Sequence, residues 1–272
     1  MAPGALNLLG GTLTADQVTG SGAGTALFNG GTLRLSGNQA DLFSGFAAST
    51  VTLTGAGGTI DTQGFAVVTA YEWSGNGALT KLGAGTLTLA EVSNQTYTGP
   101  TTVEAGALVV DGSITSNVTV KSGATFGGDG VINGNITLES GSTLTPIDCF
   151  DADTLTWNAG ATLVFNLSDA SSDILELTAD FTKIGSGPFA FTFLDTGWQI
   201  GQAYTLVTFS GISNFVQSDF SFTNGGGFGG DFVLDGNSLS FTLNSVPEPS
   251  MGHLLLLAMV ATLFFVRRRA LS

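Results

Sequence analysis

The stretch Thr101–Pro146, "TTVEAGALVVDGSITSNVTVKSGATFGGDGVINGNITLESGSTLTP", decides the fold. Within it Val103-Glu104-Ala105-Gly106, Val120-Lys121-Ser122-Gly123 and Leu138-Glu139-Ser140-Gly141 recur at steps of 17 and 18 residues. Thr101-Thr102, Val118-Thr119 and Ile136-Thr137 precede them, so the apolar/polar alternation is also in register. A unit this short cannot bury its own apolar face. Stacking equivalent coils turns many such faces into one continuous column.

The same signal spreads outward as Gly-Thr-apolar starts. "GGTLTA" (Gly10–Ala15), "GGTLRL" (Gly30–Leu35) and "GGTIDT" (Gly57–Thr62) precede the decisive stretch, with "GAGTLTL" at Gly83–Leu89. "GSTLT" (Gly141–Thr145) and "GATLVF" (Gly160–Phe165) follow. Glycine supplies the corners, where φ > 0 is needed, and period-2 alternation supplies the strands. The pattern predicts an all-β protein whose residues 1–168 form a right-handed parallel β-helix. Leu13, Leu33, Ile60, Leu87, Leu144 and Leu163 are expected on one inward face. The looser spacings from Thr12 to Thr32, Thr59 and Thr86 predict loops protruding from some coils.

Composition agrees with this. Among 272 residues 40 are glycine and 43% are hydrophobic, without the every-third glycine of collagen. Lys+Arg total 7 against 21 Asp+Glu, net −14. Setting aside 246–272, which hold Glu248 and Arg267–Arg269, leaves 4 basic and 20 acidic residues, net −16. A body this acidic repels phosphate backbones, which excludes nucleic acid as a partner. The single cysteine, Cys149, permits no intramolecular disulfide and no thiolate metal cluster, and reads as a small half-buried residue.

Candidate chemistry in the body is sparse. The basic residues there are Arg34, Lys81, Lys121 and Lys183, and the single histidine, His253, lies in the apolar tail. No histidine-based triad or zinc site can be built from the body, so no catalytic residue is assigned. The acidic run "PIDCFDADT" makes Asp148, Asp151 and Asp153 the candidate ligands of a weak calcium site. It lacks the glycine and the distant glutamate of an EF-hand loop. Thr-x-Thr steps at Thr12/Thr14, Thr52/Thr54, Thr86/Thr88 and Thr143/Thr145 raise the idea of a water-ordering, ice-binding face. The irregular coil spacing argues against a flat lattice of that kind. Asn-x-Ser/Thr steps at Asn94, Asn117, Asn135 and Asn166 read as polar turns.

Gly75–Val110 resembles the autotransporter-associated β-strand repeat. The matching elements are Gly75-Asn76-Gly77-Ala78-Leu79-Thr80-Lys81 and Gly83-Ala84-Gly85-Thr86-Leu87-Thr88-Leu89. They continue as Asn94, Thr96-Tyr97-Thr98-Gly99, Thr101-Thr102-Val103 and Gly106-Ala107-Leu108. The resemblance implies a β-helical segment of a surface or secreted protein. It comes without the C-terminal membrane barrel through which autotransporters are exported.

From 169 to 245 the texture changes. Twelve of the 20 phenylalanines fall between Phe165 and Phe241. Runs such as "FAFTFLD" (Phe189–Asp195) and "AYTLVTFSG" (Ala203–Gly211) alternate with period 2, and "FVLDGNSLSFTL" (Phe232–Leu243) reads as a hairpin turning at Asp235-Gly236. This part is predicted to be an antiparallel β cap whose aromatic rings seal the open end of the solenoid.

The chain then ends "VPEPSMGHLLLLAMVATLFFVRRRALS", Val246–Ser272. The apolar run includes Leu254, Leu255, Leu256, Leu257, Phe264, Phe265 and Val266. As a helix from Met251 it spans about 24 Å, short of a hydrocarbon core of roughly 30 Å. Arg267, Arg268 and Arg269 then act as a basic stop, placing the acidic body on the outer side. Pro247-Glu248-Pro249, the short helix and the arginines together resemble the PEP-CTERM sorting signal. That resemblance implies an exosortase-type processing enzyme as partner and transient residence in the inner membrane. Beyond it lies the cell surface or extracellular biofilm matrix of a Gram-negative bacterium, with extracellular polysaccharide as a further partner. The N-terminal "MAPGALNLLGGTL" has neither basic nor apolar regions of a secretory signal, so Met1 reads as other than the native start. The function expected is a non-enzymatic structural or adhesive surface protein. The alternative is a polysaccharide-active or carbohydrate-binding β-helix that uses surface carboxylates.

Overall fold

A computed structural model describes residues 5–46, 51–91, 94–167, 173–195, 199–223 and 229–245. Among them the chain is all-β, wound as a parallel solenoid of about eight turns. The first turn lays down β1 (Ala5–Leu8), β2 (Thr12–Ala15) and β3 (Val18–Gly22). The second stacks Thr25–Phe28, Gly31–Leu35 and Phe43–Phe46 on them, each in parallel register. Later turns repeat the step, because every coil presents the same donors and acceptors to the next at the strand spacing of about 4.8 Å. The decisive repeats fall rung on rung: Val103 pairs with Val120, and Val120 with Leu138.

Inside, one column starts in the first turn and a second in the third. One is Leu13, Leu33, Ile60, Lys81, Val103, Val120, Leu138 and Trp157. The other is Val67, Leu87, Leu108, Phe126, Leu144, Leu163 and Phe191. Apart from the end residue Leu13, all of these side chains are buried. The expected single face therefore divides: Leu13, Leu33 and Ile60 belong to one sheet, and Leu87, Leu144 and Leu163 to another. The Gly-Thr-apolar start serves two different corners of the coil, so aligning it by motif merged two walls. Thr59 pairs with Thr80, and not with a residue at Thr86.

The parallel winding continues past residue 168. Thr162–Leu167 pairs in parallel with Phe189–Asp195, which pairs in parallel with Phe220–Thr223. Among the described residues antiparallel pairing is confined to Ser238–Ser245, held between Ala203–Phe209 and Gly229–Asp235. The hairpin is present, with Asp235 opposite Ser238 and Gly236 at φ 54 in the turn. Phenylalanines fill this end: Phe193 and Phe241 lie 4.5 Å apart between ring centroids, and Phe181 and Phe215 4.4 Å. Such pairs add to the apolar area they bury.

No helix among the described residues is long and apolar enough to cross a membrane. The expected span, with Leu254–Leu257 and Phe264–Val266, lies outside them, as do Pro247, Glu248, Pro249 and Arg267–Arg269.

The corner glycines of the repeat carry different loads. Gly106 and Gly123 both have positive φ, at 65° and 79°. A Cβ on Gly106 would stand 2.3 Å from the Gly85 carbonyl oxygen, whereas one on Gly123 meets nothing within 4 Å. Gly123→Ala is expected to cost about 1–2 kcal/mol, the left-handed penalty alone. Gly106→Ala should cost at least about twice as much, because a neighbouring coil must move. Urea denaturation of the two variants side by side checks the order.

Candidate functional site

The polar residues of the decisive repeats face both inward and outward, and the two sets have different chemistry. Inward, Lys81 occupies a rung of the apolar column and is fully buried. Its Nζ donates to the carbonyl oxygens of Leu82 and Gly83 at 2.9 Å and of Ala105 at 3.0 Å. Three donors meet three acceptors, so the ammonium ties the corner of its own coil to the next. Burial pushes its pKa down to about 8, with Asp61 opposing. Burial also works to raise the Asp61 carboxyl, but hydrogen bonds from Gln63 and Arg34 outweigh it and leave it below the ordinary range.

One step further, Tyr97, Thr101 and Ser116 form a buried hydroxyl chain. Tyr97 Oη to Thr101 Oγ1 and Thr101 Oγ1 to Ser116 Oγ are each 2.6 Å. Burial drives the Tyr97 phenol up to about 12. Gln95 is buried alongside, accepting from the Trp73 amide at 2.7 Å and donating to the Tyr71 carbonyl at 3.2 Å. The elements Lys81, Tyr97 and Thr101 that carry the repeat resemblance are thus fastenings between coils.

Outward, one row dominates. Thr12, Thr32, Thr59, Thr80, Thr102, Thr119, Thr137, Thr156 and Thr182 are register partners from coil to coil without a break. At about 4.8 Å per rung the row runs for roughly 38 Å. Two residues along the same strands stand Arg34, Asp61, Leu82, Glu104, Lys121 and Glu139. Arg34 Nε reaches Asp61 Oδ2 at 3.0 Å, and Lys121 Nζ reaches Glu139 Oε1 at 2.5 Å. The Thr-x-Thr steps scatter over three walls: Thr52 pairs with Ser74, while Thr86 pairs with Ala66 and Ala107. Coil-length irregularity is absorbed in the loops and leaves the row straight. The charged row beside it is what denies the face a flat hydroxyl lattice.

The candidate calcium ligands do not converge as a trio. Asp148 sits at a left-handed corner, φ 50, with its amide donating to Asp173 Oδ1 at 3.1 Å. Asp153 accepts from Thr178 Oγ1 at 3.0 Å. Asp151 instead stands opposite Glu176, and these two with Cys149 bring one ligand atom each within 4.8 Å of one another. Calcium prefers about six to eight oxygen ligands, and this set offers two carboxylates and a thiol. Burial, then Asp151 and Glu176, push the Cys149 pKa up to about 11, so the thiol stays neutral. Asp151, Asp153 and Glu176 line a surface groove of about 250 Å³. On adjoining turns Asp111 is raised by burial and by the contacting Asp129, a direct carboxyl–carboxylate contact.

Residues 79–110 match the Passenger-associated-transport-repeat model, and residues 245–270 match the PEP-CTERM protein-sorting motif. Over 55 residues, 20% of the chain, the protein is 51% identical to an extracellular serine protease of Serratia marcescens. A second protein of the same name and organism is 48% identical over 54 residues. The matched part spans about 5% of the length of either protein. The chain therefore carries a passenger-type transport repeat and a PEP-CTERM sorting motif. Together these mark an exported protein of the cell surface or extracellular space.

Sequence reasoning missed the burial of Lys81 and the continuity of the threonine row. The available signal was the phase of the alternation: Lys81 follows Leu79 and Thr80 where an inward residue is due. The buried lysine also carries a pH signature. The folded state holds this proton more weakly than the unfolded chain, whose lysine titrates near 10.5. Stability therefore rises as pH climbs from about 8 to 10.5. Relative to Lys81→Met, the wild type should gain up to about 2 kcal/mol across that window, less than the full shift because three carbonyls favour the ammonium. Paired urea titrations at both pH limits measure it, and parallel curves for the two proteins would contradict it.

Proposed function

We propose that this protein is a non-enzymatic, exported surface stalk that docks extracellular polysaccharide along its threonine row. The observation that carries the reading is the unbroken row from Thr12 to Thr182 on the outer wall. A ladder of hydroxyls at even spacing offers one donor and acceptor per step to an extended polyol chain lying along the axis. Each contact is weak, and affinity comes from their number. The neighbouring acidic surface keeps the stalk hydrated and allows cation-bridged contact with acidic glycans. The coil is taken as right-handed, the hand that parallel crossovers favour. Residues 246–272 act as a separable segment. Their apolar run holds the chain transiently in the inner membrane until an exosortase-type enzyme cuts near Pro247-Glu248-Pro249.

Two experiments test the two halves. Co-sedimentation with the host's extracellular polysaccharide should be reduced at least about tenfold by Thr102→Val, Thr119→Val and Thr137→Val together. These half-buried strand positions accept valine, and the melting temperature stays nearly unchanged. Undiminished binding rejects the row as the contact surface. Mass spectrometry of the protein from its native host should find a C-terminus near Pro247. An intact Ser272 on the cell surface would overturn the processing step.

A further inference from the structure

The outer walls of the coil differ in charge. Charged side chains stand beside the threonine row from Arg34 to Glu139, and Asp151 and Glu176 stand on the wall that carries Val131. The third wall is the eight-stranded sheet from Ala66–Thr69 to Phe220–Thr223. Two outward columns run up it. The first holds only alanine, threonine and serine, from Ala66 to Ser221, in unbroken register. The second, two residues further along each strand, holds only valine, threonine and glycine, from Val68 to Thr223. No position in either column carries a charge, an amide or an aromatic ring. The columns also compensate in size. Where the second is bulky, at Val68 and Val109, the first has Ala66 and Ala107; where the second is bare, at Gly127, the first has Thr125.

Charge, repeat and area select what covers this wall. It offers no ring to stack a sugar and no charge to hold an ionic ligand. A chain at −14 repels its own copies through the charged walls, and here two copies can touch without setting like charges together. A second copy also has the same rung spacing, so the two faces match over the whole height. The eight rungs span about 34 Å, and with its corners the face is about 20 Å wide, roughly 700 Å². A standard interface buries about 800 Å² per partner. We infer that two copies of the protein pack side by side through this wall, in parallel, as a two-fold dimer. Stacked sheets keep their strands nearly aligned, and a two-fold axis along the coil axis closes the assembly at two copies. Each rung then faces the same rung with the columns exchanged: Ala107 of one copy meets Val109 of the other, and Thr125 meets Gly127. At the margin Asp111 and Asp129, two residues beyond the second column, face the neutral corners at Ala105 and Gly123 of the other copy. Antiparallel pairing would instead set Val109 against Val164, bulk on bulk. Parallel pairing also sends residues 246–272 of both copies toward one membrane, a support that rests on the membrane step proposed above.

The test is the mass of the full chain in mild detergent by light scattering over a concentration series, with small-angle scattering of the same sample. The expected result is twice the chain mass, with the long dimension unchanged and the cross-section about doubled. Added salt should strengthen the dimer, because it screens the repulsion between the charged walls. Thr125→Glu and Thr143→Glu, each in the first column, should weaken it at least about tenfold by burying carboxylates in a neutral contact. Thr115→Glu, the same change at an exposed site on another wall, should leave it intact. Circular dichroism melting confirms that all three variants fold. For direction, in a Cys149→Ser background, chains with Thr143→Cys should form disulfides with chains carrying Thr145→Cys. Preference for chains carrying Thr125→Cys means antiparallel pairing and overturns the arrangement. A monomer at every concentration, a lengthened particle, or masses above two copies each overturns the inference. Insensitivity to both glutamate variants does so too, since it assigns the pairing to the tails in the detergent. None of these readouts depends on cleavage near Pro247, so failure of the membrane step and failure of the dimer are told apart.

Discussion

Everything in this molecule depends on the parallel hydrogen-bonded step from one coil to the next. A single coil has a few apolar side chains and cannot offset its own ordering entropy. Once two coils are in register, the inward residues of one lie directly on those of the other, and each added coil repeats the gain. The outer surface inherits the same register. A threonine placed outward because it suits a strand becomes one rung of a row nine residues long. The row is a by-product of the core.

That dependence explains why the polar fastenings lie where they do. The repeat with the densest motif, around Lys81 and Tyr97, is a part where buried side chains as well as backbone tie the coils. A buried ammonium held by three carbonyls is costly to desolvate, so it specifies one corner geometry more than it adds stability. Coils farther along, such as that of Leu138 and Trp157, use apolar bulk at the equivalent place.

The architecture was legible in the sequence because period-2 alternation and recurring glycines are local signals. Val103, Val120 and Leu138 could be aligned by eye, and they are neighbours in space. What could not be read was which wall a given strand belongs to. Gly-Thr-Leu at Gly31–Leu35 and at Thr86–Leu89 look alike in one dimension, yet they sit on different sheets. The end of the parallel winding was also misplaced, because phenylalanine-rich strands such as Phe189–Asp195 alternate identically whether they pair parallel or antiparallel. Among the site residues, Asp151 and Asp153 share the outward face of one strand, as alternation directs, while the left-handed corner at Asp148 turns it toward Asp173. Glu176, which does stand by Asp151, is distant in sequence and was invisible.

Ser238–Ser245 is bonded on both flanks, and the chain leaves it directly into the sorting segment. Any pull transmitted through residues 246–272 is therefore applied along that strand. It loads all the hydrogen bonds of both ladders at once instead of opening them one by one. The strand that leads into the sorting segment is the one best placed to bear tension, so a pull on that segment can be borne without unravelling the coils behind it.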